Sequence, residues 1–357
     1  MFVRWCITTI VGKVAATRIA TQGWSPELFS TLISASGGAK ILGIAHLDRF
    51  LFGDYLQRTD HPMGLYGSSI GSWRNAALAS PSPLASLLRL QDLYLNQGWD
   101  EADPRSAGEI VDDLCEQVIA GYCDDALINH LCQHPRFTSH IVTARGLGLN
   151  NNRRGVALGT GMALSAMGNL LSRRLLGKGF QRVVFSSGPS VGFDFQDFNT
   201  VHVPLAAANL KGSLLASGSI PFLMSGQRDL PGAPKGQYWD GGVIDYHFDL
   251  ENYVDEGLVL YPHFTDRVIK GWFDKGLRWR QNQSPLMDRI VLLAPSASYL
   301  ARLPLNKIPD RGDFNKMSQS ARYKYWSACV DASLELAESF DSIVSESNPM
   351  KNVTTIN

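Results

Sequence analysis

Three short stretches of this chain carry residues whose types and spacing could do chemistry. The first, Gly67-Ser68-Ser69-Ile70-Gly71, is a Gly-x-Ser-x-Gly nucleophile elbow between an apolar run (Met63 to Tyr66) and a small-residue helical stretch (Ser72 to Ala79). A strand that turns abruptly into a helix holds its serine in a strained backbone conformation, and side chains two residues to either side would collide; glycines at 67 and 71 avoid this. Ser69 would then stand at a helix N-terminus as an exposed nucleophile. The second stretch is Ser36-Gly37-Gly38-Ala39-Lys40, directly after a strand candidate. Adjacent glycines ahead of a helix let backbone N–H groups converge on a developing oxyanion, and the helix dipole adds to the field. In the third, Trp239-Asp240-Gly241-Gly242, two glycines let an aspartate approach another backbone closely.

Elements must bring these three together. Phe29 to Ser34 reads as a buried strand that runs into the Ser36-Gly37-Gly38 turn, with a helix from about Leu42 to Gln57 whose apolar stripe is Ile44, Leu47, Phe50, Leu51 and Tyr55. Leu84 to Leu95 and Ala107 to Leu131 are further helical patterns, the second opened by a Ser106-x-x-Glu109 capping box; together they read as a helical insertion over about 84–131. Strand candidates recur at Ser139 to Ala144, Arg182 to Ser186, Val201 to Pro204, Gly257 to Tyr261 and Asp288 to Leu293. Helical runs separate most of them, which predicts an α/β fold with a mainly parallel central sheet flanked by helices. Ser318 to Val344 reads as one final helix and 346–357 as a loose polar tail.

With 45% hydrophobic and 18% charged residues, the 357-residue chain is globular by composition and can bury a large core. Lys plus Arg equal Asp plus Glu, so no global field draws it to nucleic acid or anionic lipid, and any membrane contact must be local. The five cysteines are odd in number and form no Cys-x-x-Cys pair, which fits a reducing, cytoplasmic setting. The apolar run Trp5 to Val11 is short and threonine-laced for a signal peptide, so 1–24 is expected to be an extra strand or a disordered leader. Gly155 to Leu171, low in charge between Arg153-Arg154 and Arg173-Arg174, is expected to be a buried helix beneath the sheet, with an interfacial membrane anchor as the alternative.

The ordered set Ser36-Gly37-Gly38-Ala39-Lys40, Gly67-Ser68-Ser69-Ile70-Gly71 and Asp240-Gly241-Gly242 resembles the patatin-like phospholipase family, whose members carry a Gly-Gly-Gly-x-Arg/Lys loop, a Gly-x-Ser-x-Gly elbow and an Asp-Gly-Gly or Asp-Gly-Ala motif in that order. Asn75-Ala76-Ala77-Leu78-Ala79 and Ala216-Ser217-Gly218-Ser219-Ile220-Pro221 add to the likeness, which spans about 29–247. Ser36 stands where the family has its first glycine, and Ile41 where a glycine is common. The resemblance implies a patatin-like variant of the α/β-hydrolase fold, one domain over 25–345, and a Ser-Asp dyad: Ser69 as nucleophile, Asp240 as general base, Gly37 and Gly38 as oxyanion hole, with Lys40 and Ser36 in support. It implies a lipid or acyl-ester substrate, peripheral membrane contact, no nucleic acid, and no cofactor or metal. A carboxylate is a poor base for an alcohol, so Asp240 would need a dry setting, which Trp239 and Tyr238 could wall.

Other readings stay open. In an α/β-hydrolase the triad runs Ser, Asp, His along the chain, so His247, with Asp245 to orient it, would complete one. His130 and His134 have the spacing of a helical metal pair, without the glutamate of a zinc protease. A soluble short-chain esterase or thioesterase would keep the elbow, and a non-catalytic lipid-binding protein on a degenerate hydrolase fold would fit the altered glycine loop.

Overall fold

Near-continuous apolar runs in the middle of the chain form strands buried on both faces, the pattern expected where helices cover a parallel sheet on either side. A computed structural model describes residues 6–100, 102–189, 192–280 and 287–356. Its strands, in chain order, are β1 (Ile7–Val11), β2 (Phe29–Ser34), β3 (Met63–Ser68), β4 (Phe137–Gly146), β5 (Phe180–Ser186), β6 (Thr200–Pro204), β7 (Gln227–Arg228), β8 (Gln237–Asp240), β9 (Leu258–Pro262), β10 (Ile290–Pro295) and β11 (Thr354–Thr355). They join in one sheet of order β11-β1-β10-β9-β2-β3-β4-β5-β6, with β8 on β4 and β7 on β8. The run β10-β9-β2-β3-β4 is parallel throughout, whereas β1, β5 and β8 each pair antiparallel with a neighbour. The fold is thus α/β with a mostly parallel central sheet flanked by helices.

One detail of register decides where the chemistry can sit. β3 and β8 lie on the same edge of β4 and run toward each other. β3 ends with Ser68 opposite Val142, and β8 ends with Asp240 opposite Thr143, the next residue along β4. The two strand ends therefore meet head to head. The elbow that follows Ser68 and the turn that follows Asp240 are forced into the same space.

Several expected elements differ from those observed. Of the two readings of 1–24 the extra strand is the one observed, with a helix added: β1 pairs with β10 and a helix follows at Lys13–Gln22; residues 1–5 lie outside the described set. The C-terminal tail is not loose. β11 adds to the edge at β1, Ile356 N–H donates to Val11 O (2.9 Å), and Trp24 Nε1 donates to Pro349 O (2.8 Å); Met350, Val353 and Ile356 pack on the core, which explains the order of an otherwise polar stretch. The helix expected over Ala107 to Leu131 starts at its capping box (Ser106 N–H to Glu109 Oε2, 2.9 Å) but breaks into Ala107–Tyr122 and Asp125–Cys132, because the Asp124 carboxylate caps Leu127 N–H (2.8 Å) and opens a second helix. The final helix likewise divides, into Gln319–Ala332 and Leu334–Val344, at Ser333. In place of one helix from Leu42 to Gln57, the chain forms an α-helix at Ala45–Gly53 between 3₁₀ turns.

Gly155–Leu171 is a helix, but not one buried beneath the sheet. It lies at the surface: Leu158, Gly161, Met162, Ser165 and Asn169 are buried, while Val156, Leu164, Met167, Leu170 and Leu171 are exposed, Leu171 to 79%. Close approach decides which face turns inward. A Cβ on Gly161 would fall 2.4 Å from Asn150 Oδ1, and Asn150 Nδ2 donates to Ser165 Oγ (2.8 Å), so only the small face fits against the 148–151 turn. Among the described residues no helix is long and apolar enough to cross a membrane.

Candidate active site

The elbow has the stereochemistry that its glycines imply. Ser69 takes φ 55°, ψ −135°, a conformation unfavourable for any residue with a side chain, and the Ile70–Leu78 helix starts directly after it. A Cβ on Gly67 would lie 2.6 Å from Ser72 N, and one on Gly71 would lie 2.0 Å from Ser34 O. The helix is buried along its whole length, so its small residues are a packing requirement; its one charge, Arg74, pairs with the equally buried Asp48.

Asp240 reaches Ser69 directly. Ser69 Oγ donates to Asp240 Oδ2 (2.8 Å), while Asp240 Oδ1 accepts the Gly242 N–H (2.7 Å). Both residues are 8% exposed. Burial pushes the Asp240 carboxyl up to about 6, against the opposing pull of the Ser69 hydroxyl, the Gly242 amide and the distant cations Lys275 and Arg311. That is the dry setting a carboxylate needs to act as a base near neutrality. Trp239, expected to wall it, is fully buried with Nε1 donating to Asn150 O (2.9 Å), but as the preceding residue of β8 it faces the other side of the strand and is not among the residues that line the cavity.

The surrounding hydrogen bonds hold the pair in register. Ser217, from the Ala207–Gly218 helix, accepts the Ser69 N–H (2.9 Å), donates to Val142 O (2.7 Å) and contacts Ser72 Oγ (2.9 Å), which ties the elbow to β4. Ser68 Oγ donates to Asp245 O (2.6 Å) and, its proton so committed, accepts from Ser36 Oγ (2.6 Å). Ser36 therefore knits the glycine loop to the elbow and has no proton left to offer an oxyanion. Asp245 itself is locked by Arg182 (2.6 and 2.9 Å) and by Arg173 (3.3 Å).

Gly37, Gly38 and Lys40 line the same cavity as Ser69 and Asp240, a space of about 280 Å³. Gly38 takes φ 57°, and a Cβ on Gly37 would strike the Phe264 ring at 2.6 Å, so both glycines are needed for the loop to lie where it does. Among the described residues neither the Gly37 nor the Gly38 N–H finds a protein acceptor, which leaves both as donors for a bound oxygen. Lys40 Nζ lies over the Phe264 ring (4.6 Å from its centroid), and burial holds its ammonium below the ordinary lysine range. Ile220, Pro221, Val243 and Trp272 supply apolar wall; no residue of the 84–131 helices lines the cavity. They back the glycine loop instead, with Tyr94 OH 3.3 Å from where a Gly38 Cβ would stand.

The histidine alternatives lose their geometry. His247 is buried, accepts the Ile269 N–H on Nδ1 (3.1 Å), packs against His263, and is held well below the usual imidazole range by burial and by that neighbour. Asp245 faces the two arginines instead of orienting it, and Ser69 is already engaged by Asp240. His134 spends Nδ1 on the N–H groups of Arg136 (3.0 Å) and Phe137 (2.9 Å), the closing turn of a helix end. Three residues had no role in the sequence reading: Ser217, which ties the elbow to β4, and the cavity residues Lys275 and Arg311. Ser217 sits in a noted small-residue segment, and Arg311 in a charged loop; only the fold shows where they point.

Comparison of the chain with models of known families and with curated proteins finds no match.

Proposed function

We propose that this chain is a serine acyl hydrolase of the patatin-like kind, a phospholipase A or lysophospholipase-like enzyme that cleaves a carboxylic ester through an acyl-Ser69 intermediate. The observation that carries the reading is the 2.8 Å bond from Ser69 Oγ to Asp240 Oδ2, made at a strained elbow between residues 171 positions apart. A pair formed at such sequence distance, at a backbone conformation that costs about 1–3 kcal/mol, is expected of a reacting group and not of an ordinary turn.

On this reading the atoms take the following roles. Ser69 Oγ attacks the ester carbonyl carbon as its proton passes to Asp240 Oδ2, and the carbonyl oxygen becomes an oxyanion held by the N–H groups of Gly37 and Gly38. Collapse breaks the carbon–oxygen bond to the alcohol, which leaves with the proton from Asp240. Water then attacks the acyl-enzyme, gives its proton to Asp240 and releases the acid, and the proton on Asp240 returns to Ser69.

The cavity of about 280 Å³ favours an ester with one acyl chain or a short one over a two-chain lipid held entire. Delivery from a lipid surface is supported by the Gly155–Leu171 helix. Its outer face exposes Val156, Leu164, Met167, Leu170 and Leu171, and Asn169 Nδ2 ties the helix to Asp274 (2.7 Å), the neighbour of the cavity residue Lys275. The test is hydrolysis of p-nitrophenyl esters of graded chain length and of lysophospholipid by the wild type, Ser69→Ala and Asp240→Asn, with circular dichroism as a check on folding. Activity that is absent in the wild type, or that survives Ser69→Ala, would remove the reading. Chain-length preference separates a lipid hydrolase from a short-chain esterase.

A further inference from the structure

The protein carries no net charge, yet the mouth of its cavity does. Lys40, Lys275 and Arg311 all line the space that holds Ser69 and Asp240, and among the described residues no carboxylate pairs with any of the three. They come from three separate parts of the chain: the glycine loop, the turn after Trp272–Asp274, and the loop before the Asp313–Lys316 helix. Chance surface lysines would be expected to find acceptors or spread apart. Here Lys275 is pushed down to about 8 by desolvation and by Lys40 and Arg311, so the cations feel one another across the cavity. Lys275 Nζ is held over the Tyr246 ring (3.9 Å) and Lys40 Nζ over Phe264, aromatic faces that orient an ammonium without neutralising it.

The carboxylates nearby are spent. Asp310 also lines the cavity, but Lys307 Nζ takes its Oδ2 (2.6 Å) and the Gly312 N–H takes its Oδ1 (2.7 Å). Asp313, fully buried, binds the same Lys307 Nζ (2.6 Å), the Asp310 N–H (2.9 Å) and Trp326 Nε1 (3.0 Å). The loop is stapled on every side except Arg311, which it presents at the rim. Asp240 offers no partner either, since its two oxygens serve Ser69 and Gly242.

We propose that this rim is an anion subsite, and that the ester held at Ser69 carries a phosphate monoester on its alcohol side, gripped by Lys40, Lys275 and Arg311. The inference rests on the hydrolase reading for its substrate, but its chemistry stands on the three cations alone. A dianionic phosphate fits three convergent donors, and a guanidinium can bind it through two parallel N–H bonds. A choline ester of that phosphate would bring a quaternary ammonium into the same field and be disfavoured.

The experiment measures binding by the Ser69→Ala protein, which needs no turnover, and compares 1-octanoylglycerol 3-phosphate with 1-octanoylglycerol by calorimetry. The phosphorylated ester should bind at least about tenfold more tightly, the loss expected when a charge-assisted contact is missing. Inorganic phosphate should displace it, and raising the ionic strength should shrink the preference. Lys275→Met together with Arg311→Met, both exposed positions, should abolish it while the neutral ester still binds. Equal affinities for the two esters, or a preference that persists in the double variant, would overturn the proposal. Binding of inorganic phosphate without preference for the phosphorylated ester would also overturn it, by making the rim a site for free anion only. Hydrolysis of a neutral p-nitrophenyl ester by the wild type is read separately, so a failed hydrolase and a failed anion subsite give different results.

Discussion

Replacing Asp240 by asparagine should abolish activity and at the same time stabilise the protein, and the second effect can be worked out from the site. Asparagine matches the carboxylate in shape: its oxygen can keep the Gly242 N–H bond now made by Oδ1 at 2.7 Å, and its amide nitrogen can donate to Ser69 Oγ. What disappears is a negative charge held in a nearly closed site. Burial raises the Asp240 carboxyl from 3.8 to about 6, so between those values the folded protein keeps a proton that the unfolded chain has lost. Folding there becomes less favourable as pH rises. Below pH 4 both states are protonated and nothing is lost; above about 6 both are ionised and the full cost holds. At about 1.36 kcal/mol per pH unit, the cost is ~3 kcal/mol. Urea unfolding near pH 8 should find Asp240→Asn more stable by about that amount, or roughly 4 °C in a thermal scan for a chain of this size, and the gap should close as the pH falls toward 4. Hydrolysis should fall by about 10³-fold or more, since the asparagine cannot take the Ser69 proton. An asparagine variant that is no more stable than wild type near pH 8 would refute the claim that burial holds this carboxyl well above its ordinary range. This is the exchange of stability for function that active sites commonly show.

The same carboxyl sets the pH profile: kcat/KM on a neutral ester should rise with pH through about 6 and stay level above it, and a limb near 7 would point to an imidazole instead. Gly71→Ala should destabilise the fold by about 3 kcal/mol or more, because its methyl would fall 2.0 Å from Ser34 O; an unchanged melting temperature would contradict the packing described. Ser217→Ala strips partners from the Ser69 N–H and from Val142 O, so it should cost about 1–3 kcal/mol of stability and lower kcat more than it alters KM, as stopped assays across substrate concentration would show. Leu164→Lys with Leu171→Lys should reduce flotation with anionic liposomes while leaving hydrolysis of a soluble ester intact, and equal flotation of both proteins would dismiss the surface-helix role.

Much of what the sequence alone determined is local. Glycines at 67 and 71 announce a turn too tight for side chains, the Ser106 and Glu109 pair marks a helix start, and long apolar runs mark strands covered on both faces, because these signals act within a few residues of one another. The mostly parallel sheet follows from strands alternating with helices. Boundaries were less legible where a polar residue opts to cap: Asp124 and Ser333 each divide a helix whose apolar pattern runs straight through. The polar tail was misread for a similar reason, since its order comes from an unpaired sheet edge supplied by Ile7–Val11, which composition does not reveal. Gly155–Leu171 shows the limit of hydropathy: steric fit at Gly161 and Ser165 chose which side turns inward.

Only the tertiary structure decided the site as a geometric object. The sequence names Ser69 and Asp240 as candidates, but their contact depends on β3 and β8 meeting end to end on one edge of β4, a register set by long-range backbone pairing. It likewise leaves His247 without a carboxylate to orient it, by turning Asp245 toward two arginines. The cationic rim is the clearest case. Lys40, Lys275 and Arg311 are ordinary residues in a chain of zero net charge, and they become a field only because folding converges them on one cavity and commits the neighbouring carboxylates elsewhere. Charge balance is a sum over the chain, whereas a site responds to the few charges within a Debye length of it.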